Sequence, residues 1–294
     1  MTPRVSVVIP AYNNAKYIRA TLQSVLSQDY NDYEVVIADH SSADGTAAVI
    51  KEFSHDPRLR ILSPTPAGGG AQHNWQRVTD EARGELLKLV CGDDLIDSSL
   101  LSRQVQAFDE SPELTLCSAR RRLIDEDGKT IIASRGVPSR LWGHHPGTEA
   151  VRATIRGGTN IFGEPGCVMM RRDALAMIGG WDNTNPYVID ERTCCRVLLV
   201  DAEAGRGGFF GSGEALAAFR ISSTQWSVRL ANSQSDQVAQ FHADMLREYP
   251  DAVTPSDVRI GNLRARAVAY CRRAVYLGLG FRGVGRRNKV VSHD

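Results

Sequence analysis

The sequence has no CxxC pair, no histidine at zinc-ligand spacing from a cysteine, and no apolar run close to the ~20 residues that a membrane span requires. Its six cysteines are Cys91, Cys117, Cys167, Cys194, Cys195 and Cys271. Cys194 and Cys195 are adjacent, which is awkward for a disulfide framework, so reduced thiols in a cytosolic protein are expected. The first residues lack the basic, then apolar, then small-residue order of a signal peptide, because Pro10 interrupts the apolar run. Excess charge is also lacking: 35 Lys and Arg face 34 Asp and Glu, a formal net charge of +1. The molecule as a whole therefore makes no case for nucleic-acid binding.

What is present is a βα alternation. Val5-Ser6-Val7-Val8-Ile9 is β-branched and nearly continuous, as in a strand buried on both faces, and Pro10 is expected to end it. Residues 17–28 carry Ile18, Leu22, Val25 and Leu26 at helical spacing. Residues 34–38 form a second apolar strand ending at Asp39, and residues 46–53 read as helix. A third strand is expected at 58–62, a helix at 72–83 after Gly68-Gly69-Gly70, and a fourth strand at 86–90, which runs into Gly92-Asp93-Asp94. Such alternation predicts a mostly parallel sheet with helices on both faces. Ligands of such sheets collect at the carboxyl ends of strands, where Asp39 and the Asp93-Asp94 pair fall. The second half is less regular, with strands expected at 114–118, 130–133 and 167–170 and a short helix at 172–178.

Adjacent carboxylates such as Asp93 and Asp94 repel each other unless a cation offsets them, and hard divalent cations favour one or two carboxylates plus substrate phosphates. The alternative is an exposed loop or a helix cap. Asp39 suits either a ribose or base contact or a turn acid supporting residues 41–45. Asp190 and Glu191 follow an apolar run, with Arg196 beyond; they suit either a general base or carboxylates at a helix start.

The order of these pieces resembles family-2 glycosyltransferases. The resemblance rests on Val5 to Asn14, Tyr17-Ile18, Ser24 to Gln28, Tyr33 to Asp39 with Ser42 to Thr46, Asn74-Trp75, and Ala82 to Glu85 leading to Cys91-Gly92-Asp93-Asp94. In the second half it rests on Val168 to Arg172, Gly179-Gly180-Trp181-Asp182, Asp190 with Arg196, and Leu216 to Arg220. It implies a GT-A catalytic domain over residues 1–225, nucleotide-sugar-binding in about 1–115 and acceptor-binding in 116–225; from Ser233 onward the pattern itself reads as helix, so residues 226–294 are expected to form a helical, basic extension. It implies Pro10, Ala11, Tyr12, Asn13, Asp39, His40, Asn74 and Asp93 at the nucleotide. Asp94, with Asp93, would hold Mg²⁺ or Mn²⁺, and Asp190 would be the base of an inverting transfer. Glu191, Arg196 and Trp181 would position donor or acceptor. The substrates implied are a nucleotide-diphosphate sugar and a carbohydrate or lipid-linked acceptor, as in polysaccharide, glycolipid or cell-envelope glycan synthesis. The chain departs from the family pattern at His40 and Cys91, where acids are common, and at Ile189. The Gln-x-x-Arg-Trp signature of processive synthases is absent, which favours transfer of one sugar.

Two rivals stand beside this reading. A nucleotidyltransferase would want a basic, Gly-rich loop after the first strand, where this chain has Ala11-Tyr12-Asn13-Asn14. A catalytically inactive homologue would bind nucleotide or sugar without turnover. Residues 258–293 contain no Asp or Glu but nine Arg and Lys interleaved with apolar residues. This is either a helix packed on the catalytic domain with solvated arginines, or a peripheral contact with the inner face of the plasma membrane.

Overall fold

The computed structural model describes residues 2–203, 205–222, 230 and 232–278. The first half follows the expected alternation: β1 Val5–Ala11, α1 Ile18–Leu26, β2 Tyr33–Asp39, α2 Thr46–Lys51, β3 Leu59–Ile61, α3 Gly70–Asp80 and β4 Leu86–Leu89. Then come β5 Leu95–Ile96, α4 Leu100–Glu110, β6 Leu114–Ile124, β7 Thr130–Arg135, β8 Gly143–Pro146 and α5 Gly147–Gly157. The remainder is β9 Val168–Arg171, α6 Arg172–Met177, α7 Ile189–Glu203, β10 Gly208–Arg220, α8 Gln234–Glu248 and α9 Pro255–Gly278. The sheet order is β3-β2-β1-β4-β9-β6-β10-β5, with β7 beside β6 and β8 beside β10. Strands β1 to β4 are parallel, β9 is antiparallel to both β4 and β6, and β6 runs parallel to β10. The carboxyl ends of β1, β2, β4, β6 and β10 therefore share one edge.

Alternation along β1 builds two cores. Val5, Val7 and Ile9 pack with Ile18, Leu22 and Val25 of α1 and Phe108 of α4, while Val8 faces Val78 of α3 and the apolar sides of α5, α7 and α8. Pro10 does not end β1, contrary to the sequence expectation. The strand runs on to Ala11, with Pro10 opposite Ala38 of β2. The pairing of β1 with β4 stops at Val8 and Leu89, so beyond it no neighbour needs the N–H that proline lacks.

The last two helices lie within the stretch expected to be helical, and α9 packs on α5 and α8. Gly261 permits that approach, since a Cβ there would collide with the Ile155 carbonyl. Fully buried Asp257 accepts from Arg156 at 2.9 Å, Arg152 at 3.2 Å and the Thr254 hydroxyl at 2.7 Å. Burial raises this carboxyl, but those bonds outweigh it and hold it at about 2. A depressed native value stabilises the fold above the ordinary carboxylate range, and the gain is lost as pH falls through about 2. Asp257→Asn is thus expected to lose about 2 kcal/mol at pH 7. In urea unfolding, the gap from the parent chain should close as pH approaches 2.

Candidate active site

At the carboxyl ends of β1 and β2 the expected nucleotide residues mostly build the platform itself. Ser42 donates to Asp39 through its hydroxyl (2.5 Å) and its N–H (3.0 Å), so Asp39 supports the turn that follows β2. Asn74, buried on α3, gives both amide donors to the Ala11 and Ala38 carbonyls at 3.3 Å and accepts from Thr65 at 2.6 Å. Its side chain staples two strand ends together. The Nε2 of His40 donates to the Gly68 carbonyl at 2.9 Å, fixing the start of three glycines that all have positive φ. Asn13, at φ 50°, bonds Ser42 and Ala43 and joins the β1 loop to the β2 loop. Pro10 and Ala11 lie inside the strand, with only backbone to offer. Tyr12 is the exception: it is 57% exposed, with its ring 5.7 Å from that of His40. A large aromatic offered to solvent at a strand end is a platform on which a base can stack.

One strand along, β4 delivers Asp93 and Asp94. Asp94 is buried and accepts the Arg220 N–H at 3.0 Å, and its carbonyl accepts from Thr21 at 2.8 Å. Asp93 is half-buried, and no side chain among the described residues donates to its carboxylate. Burial raises both carboxyls, that of Asp94 furthest because Asp93 stands next to it. A pair of crowded carboxylates with free oxygens fits a hard divalent cation. Among the described residues no three His, Cys, Asp or Glu side chains form a complete ligand set. Any cation held here would draw its remaining oxygens from water or a donor diphosphate.

Asp190 opens α7 and accepts from Asn160 at 2.9 Å; the same amide also donates to the Gly163 carbonyl at 2.9 Å. Its neighbours around a cavity of about 10 Å³ are apolar, among them Leu89, Pro165, Val168 and Trp181. That space holds a single water at most. Burial there, reinforced by the charge of Glu164, pushes Asp190 up to about 7. Cys91 ties the two acidic centres together. Burial first, then Asp94, Asp93, Asp190 and Glu164, push its thiol well above the ordinary range, so it stays neutral among four carboxylates.

The three residues expected to position donor or acceptor lie as follows. Glu191 points inward beneath Asp190, buried and pushed up to about 8 by burial and by Asp190. Arg196 lies nearly two turns farther along α7, where it pairs with Asp182 at 3.4 Å and Glu248 at 4.0 Å, away from Asp190. Trp181 is buried, bonded to Thr79 at 2.9 Å and set edge-on to Trp75; it walls the cavity behind Asp190 instead of meeting solvent.

The sequence reading left four residues of the site without a role. Arg220 gives its N–H to Asp94 and its Nε–H to the Asp93 carbonyl (2.9 Å), with its guanidinium 4.6 Å from the Tyr17 ring. Glu164 pairs with Arg121 of β6 at 2.5 Å, and the buried Nη1 of Arg121 has no hydrogen-bond partner among the described residues. Fully buried Lys88 of β4 donates to the Gly166 (2.7 Å) and Val168 (3.2 Å) carbonyls, pinning the turn after Glu164 from below. Burial lowers its ammonium to about 8. The only sequence signals were an acid between Gly163 and Pro165, and charged residues inside otherwise apolar strands.

An uncharacterized protein of Mycobacterium tuberculosis is 29% identical over 208 residues, covering 68% of this chain and 63% of that one. The putative glycosyltransferase EpsH of Bacillus subtilis is 28% identical over 131 residues, 44% of this chain and 37% of its own. The chain thus spans less than two thirds of the length of these curated relatives. Among solved structures, Staphylococcus aureus TarS 1-349 with UDP aligns at TM-score 0.59 and 18% identity, covering 82% of this chain and 66% of that one. The Pyrobaculum calidifontis mannosyltransferase PcManGT, with GDP-Man and Mn²⁺, aligns at TM-score 0.65 and 18% identity, covering 95% and 76%. These structures share the GT-A fold. The family model for glycosyl transferase family 2 matches residues 6–179, from the first buried strand through α6 and past the acidic pair, and the chain belongs to that family.

Proposed function

We propose that this chain transfers a single glycosyl group from a nucleotide-diphosphate sugar to an acceptor hydroxyl, with inversion. The observation that carries the reading is the placement of two acidic centres at one end of the sheet: Asp93 and Asp94 just past β4, and Asp190 at the start of α7, beside a cavity that Leu89 of β4 also lines. One centre suits the leaving group and the other the incoming nucleophile.

The base would stack on Tyr12, beside the turn that Asp39 and His40 hold, with the diphosphate reaching toward Asp94. A bound Mg²⁺ or Mn²⁺ would supply Lewis-acid neutralisation of charge on the departing diphosphate. Arg220 keeps the Asp93-Asp94 turn facing that position. Asp190 takes the proton of the acceptor hydroxyl as its oxygen bonds the anomeric carbon and the bond from that carbon to the phosphate oxygen breaks. A carboxyl at about 7 is half ionised at neutral pH and strong enough as a base to share the proton in the transition state. Glu164 and Arg121, held over Lys88, are placed to bond donor hydroxyls between the two centres. The relatives with UDP-GlcNAc and with GDP-Man and Mn²⁺ support a nucleotide sugar and a divalent cation. We assign the acceptor to a carbohydrate or lipid-linked glycan, in polysaccharide, glycolipid or envelope synthesis.

The test is release of nucleoside diphosphate from a panel of nucleotide sugars, with and without Mn²⁺, alongside thermal shift. A matched donor should raise the melting temperature by mass action and release diphosphate when an acceptor is present. Stabilisation without release would mean a binding-only homologue. Release of pyrophosphate from a nucleoside triphosphate would mean a nucleotidyltransferase.

A further inference from the structure

Helix α9 turns two different faces to its surroundings. Asp257, Gly261, Ala265 and Ala269, spaced four apart, are buried against α5 and α8. On the other side Arg259, Leu263, Arg266 and Tyr270 follow one another at intervals of four, three and four, which places them in one outward stripe. Leu263 is 71% and Tyr270 77% exposed, the two most exposed large hydrophobic residues among those described. Arg259 and Arg266 are also exposed, and neither makes an ion pair among the described residues. No Asp or Glu occurs from residue 258 to 293, so the stripe's own helix carries only positive charge beyond Asp257.

From this stripe we infer that α9 docks this protein on an anionic lipid surface, with Leu263 and Tyr270 in the headgroup layer and Arg259 and Arg266 against lipid phosphates. A solvated helix has no physical need of a leucine and a tyrosine standing between arginines. A polyanion such as nucleic acid would use the arginines and leave the apolar pair idle. A lipid surface uses both, because arginine stems lie along apolar surface while their heads reach phosphate, and tyrosine favours the interface. No described helix is long and apolar enough to cross a membrane, so the contact is peripheral. The inward face links this surface to the proposed site. Arg272 of α9 bonds Tyr187 and reaches Thr159 at 3.2 Å. Tyr187 lies three residues before Asp190, and Thr159 immediately precedes Asn160, which donates to Asp190. A docked α9 therefore holds the base beside the lipid surface, where a lipid-linked acceptor hydroxyl would be presented. Docking itself does not depend on the transferase reading.

The full chain is tested by co-sedimentation with phosphatidylcholine vesicles with or without phosphatidylglycerol, and by titration with a short DNA duplex. The parent chain is expected to bind the anionic vesicles and not the neutral ones. R259E/R266E and, separately, L263S/Y270S should each weaken vesicle binding about tenfold or more, with unchanged thermal melting because all four positions are exposed. Failure of the parent to bind anionic vesicles, or parent-like binding by both variants, overturns the proposal. So does DNA binding as tight as vesicle binding and indifferent to L263S/Y270S, which would make the stripe a general polyanion site.

Discussion

Asp190→Asn is expected to lower the rate of glycosyl transfer about 10³-fold while donor affinity, measured by calorimetry, stays within about twofold of the parent. The substitution keeps size and shape, and its amide oxygen still accepts from Asn160, so the loop bearing Gly163 keeps its place. What is lost is the capacity to take a proton. Burial and Glu164 hold Asp190 at about 7, far above an ordinary carboxylate, so only the upper half of its titration is useful near neutrality. The parent's kcat/KM should fall tenfold per pH unit below about 7 and level off above it. Glu164→Gln removes a negative charge that raises Asp190, and the acid limb should move to lower pH. A purely structural role for Glu164 would lower the rate without moving that limb. Asp190→Asn turning over at the parent's rate would remove Asp190 from the role of base.

Asp94→Asn should have the second-largest effect, with a signature of opposite sign in stability and activity. Transfer should drop by about 10²–10³-fold through loss of charge neutralisation on the leaving diphosphate, an effect of several kcal/mol. Without metal, however, the variant should melt higher than the parent. Asp94 is a buried carboxylate beside Asp93, its ionised form is disfavoured by both burial and that neighbour, and at neutral pH the repulsion opposes folding. Asparagine removes that charge while its oxygen still accepts the Arg220 N–H. Adding Mn²⁺ with donor should raise the parent's melting temperature and leave the variant's nearly unchanged. A variant that melts lower than the metal-free parent, yet still responds to Mn²⁺, would move the cation away from Asp94.

Much of the first half was legible because the local code and the global fold agree there. Buried parallel strands read as unbroken β-branched runs, their helices carry the apolar period, and the acids at strand ends mark the edge where ligands sit. Apart from the run of β1 past Pro10, residues 5–90 needed no long-range information to be assigned, whereas β5 and α4 were not read from the sequence. The second half obscured its elements for identifiable reasons. Strand β10 contains Gly208, Gly211 and Gly213, which lower its strand signal; a Cβ at Gly211 would strike the Leu141 carbonyl. Helix α7 is buried around most of its circumference, with Cys194, Cys195, Val197, Leu198 and Leu199 all covered, and so shows no amphipathic period.

By itself the sequence determined the parallel half of the sheet, the acidic pair that ends its fourth strand, and the one-signed charge of the C-terminal stretch, because each is written in neighbouring residues. Only the tertiary structure decided which polar groups stand free. Asp39, His40 and Asn74 read as ligands, yet they bond the loops and strand ends beside them. Glu164, Arg121 and Lys88 read as loop or strand residues, yet they converge beside Asp94 and Asp190. The reason is that what a polar side chain can offer a substrate depends on how many of its hydrogen bonds protein groups already claim. That depends on partners as far apart in the chain as Arg220 and Asp94, 126 residues distant.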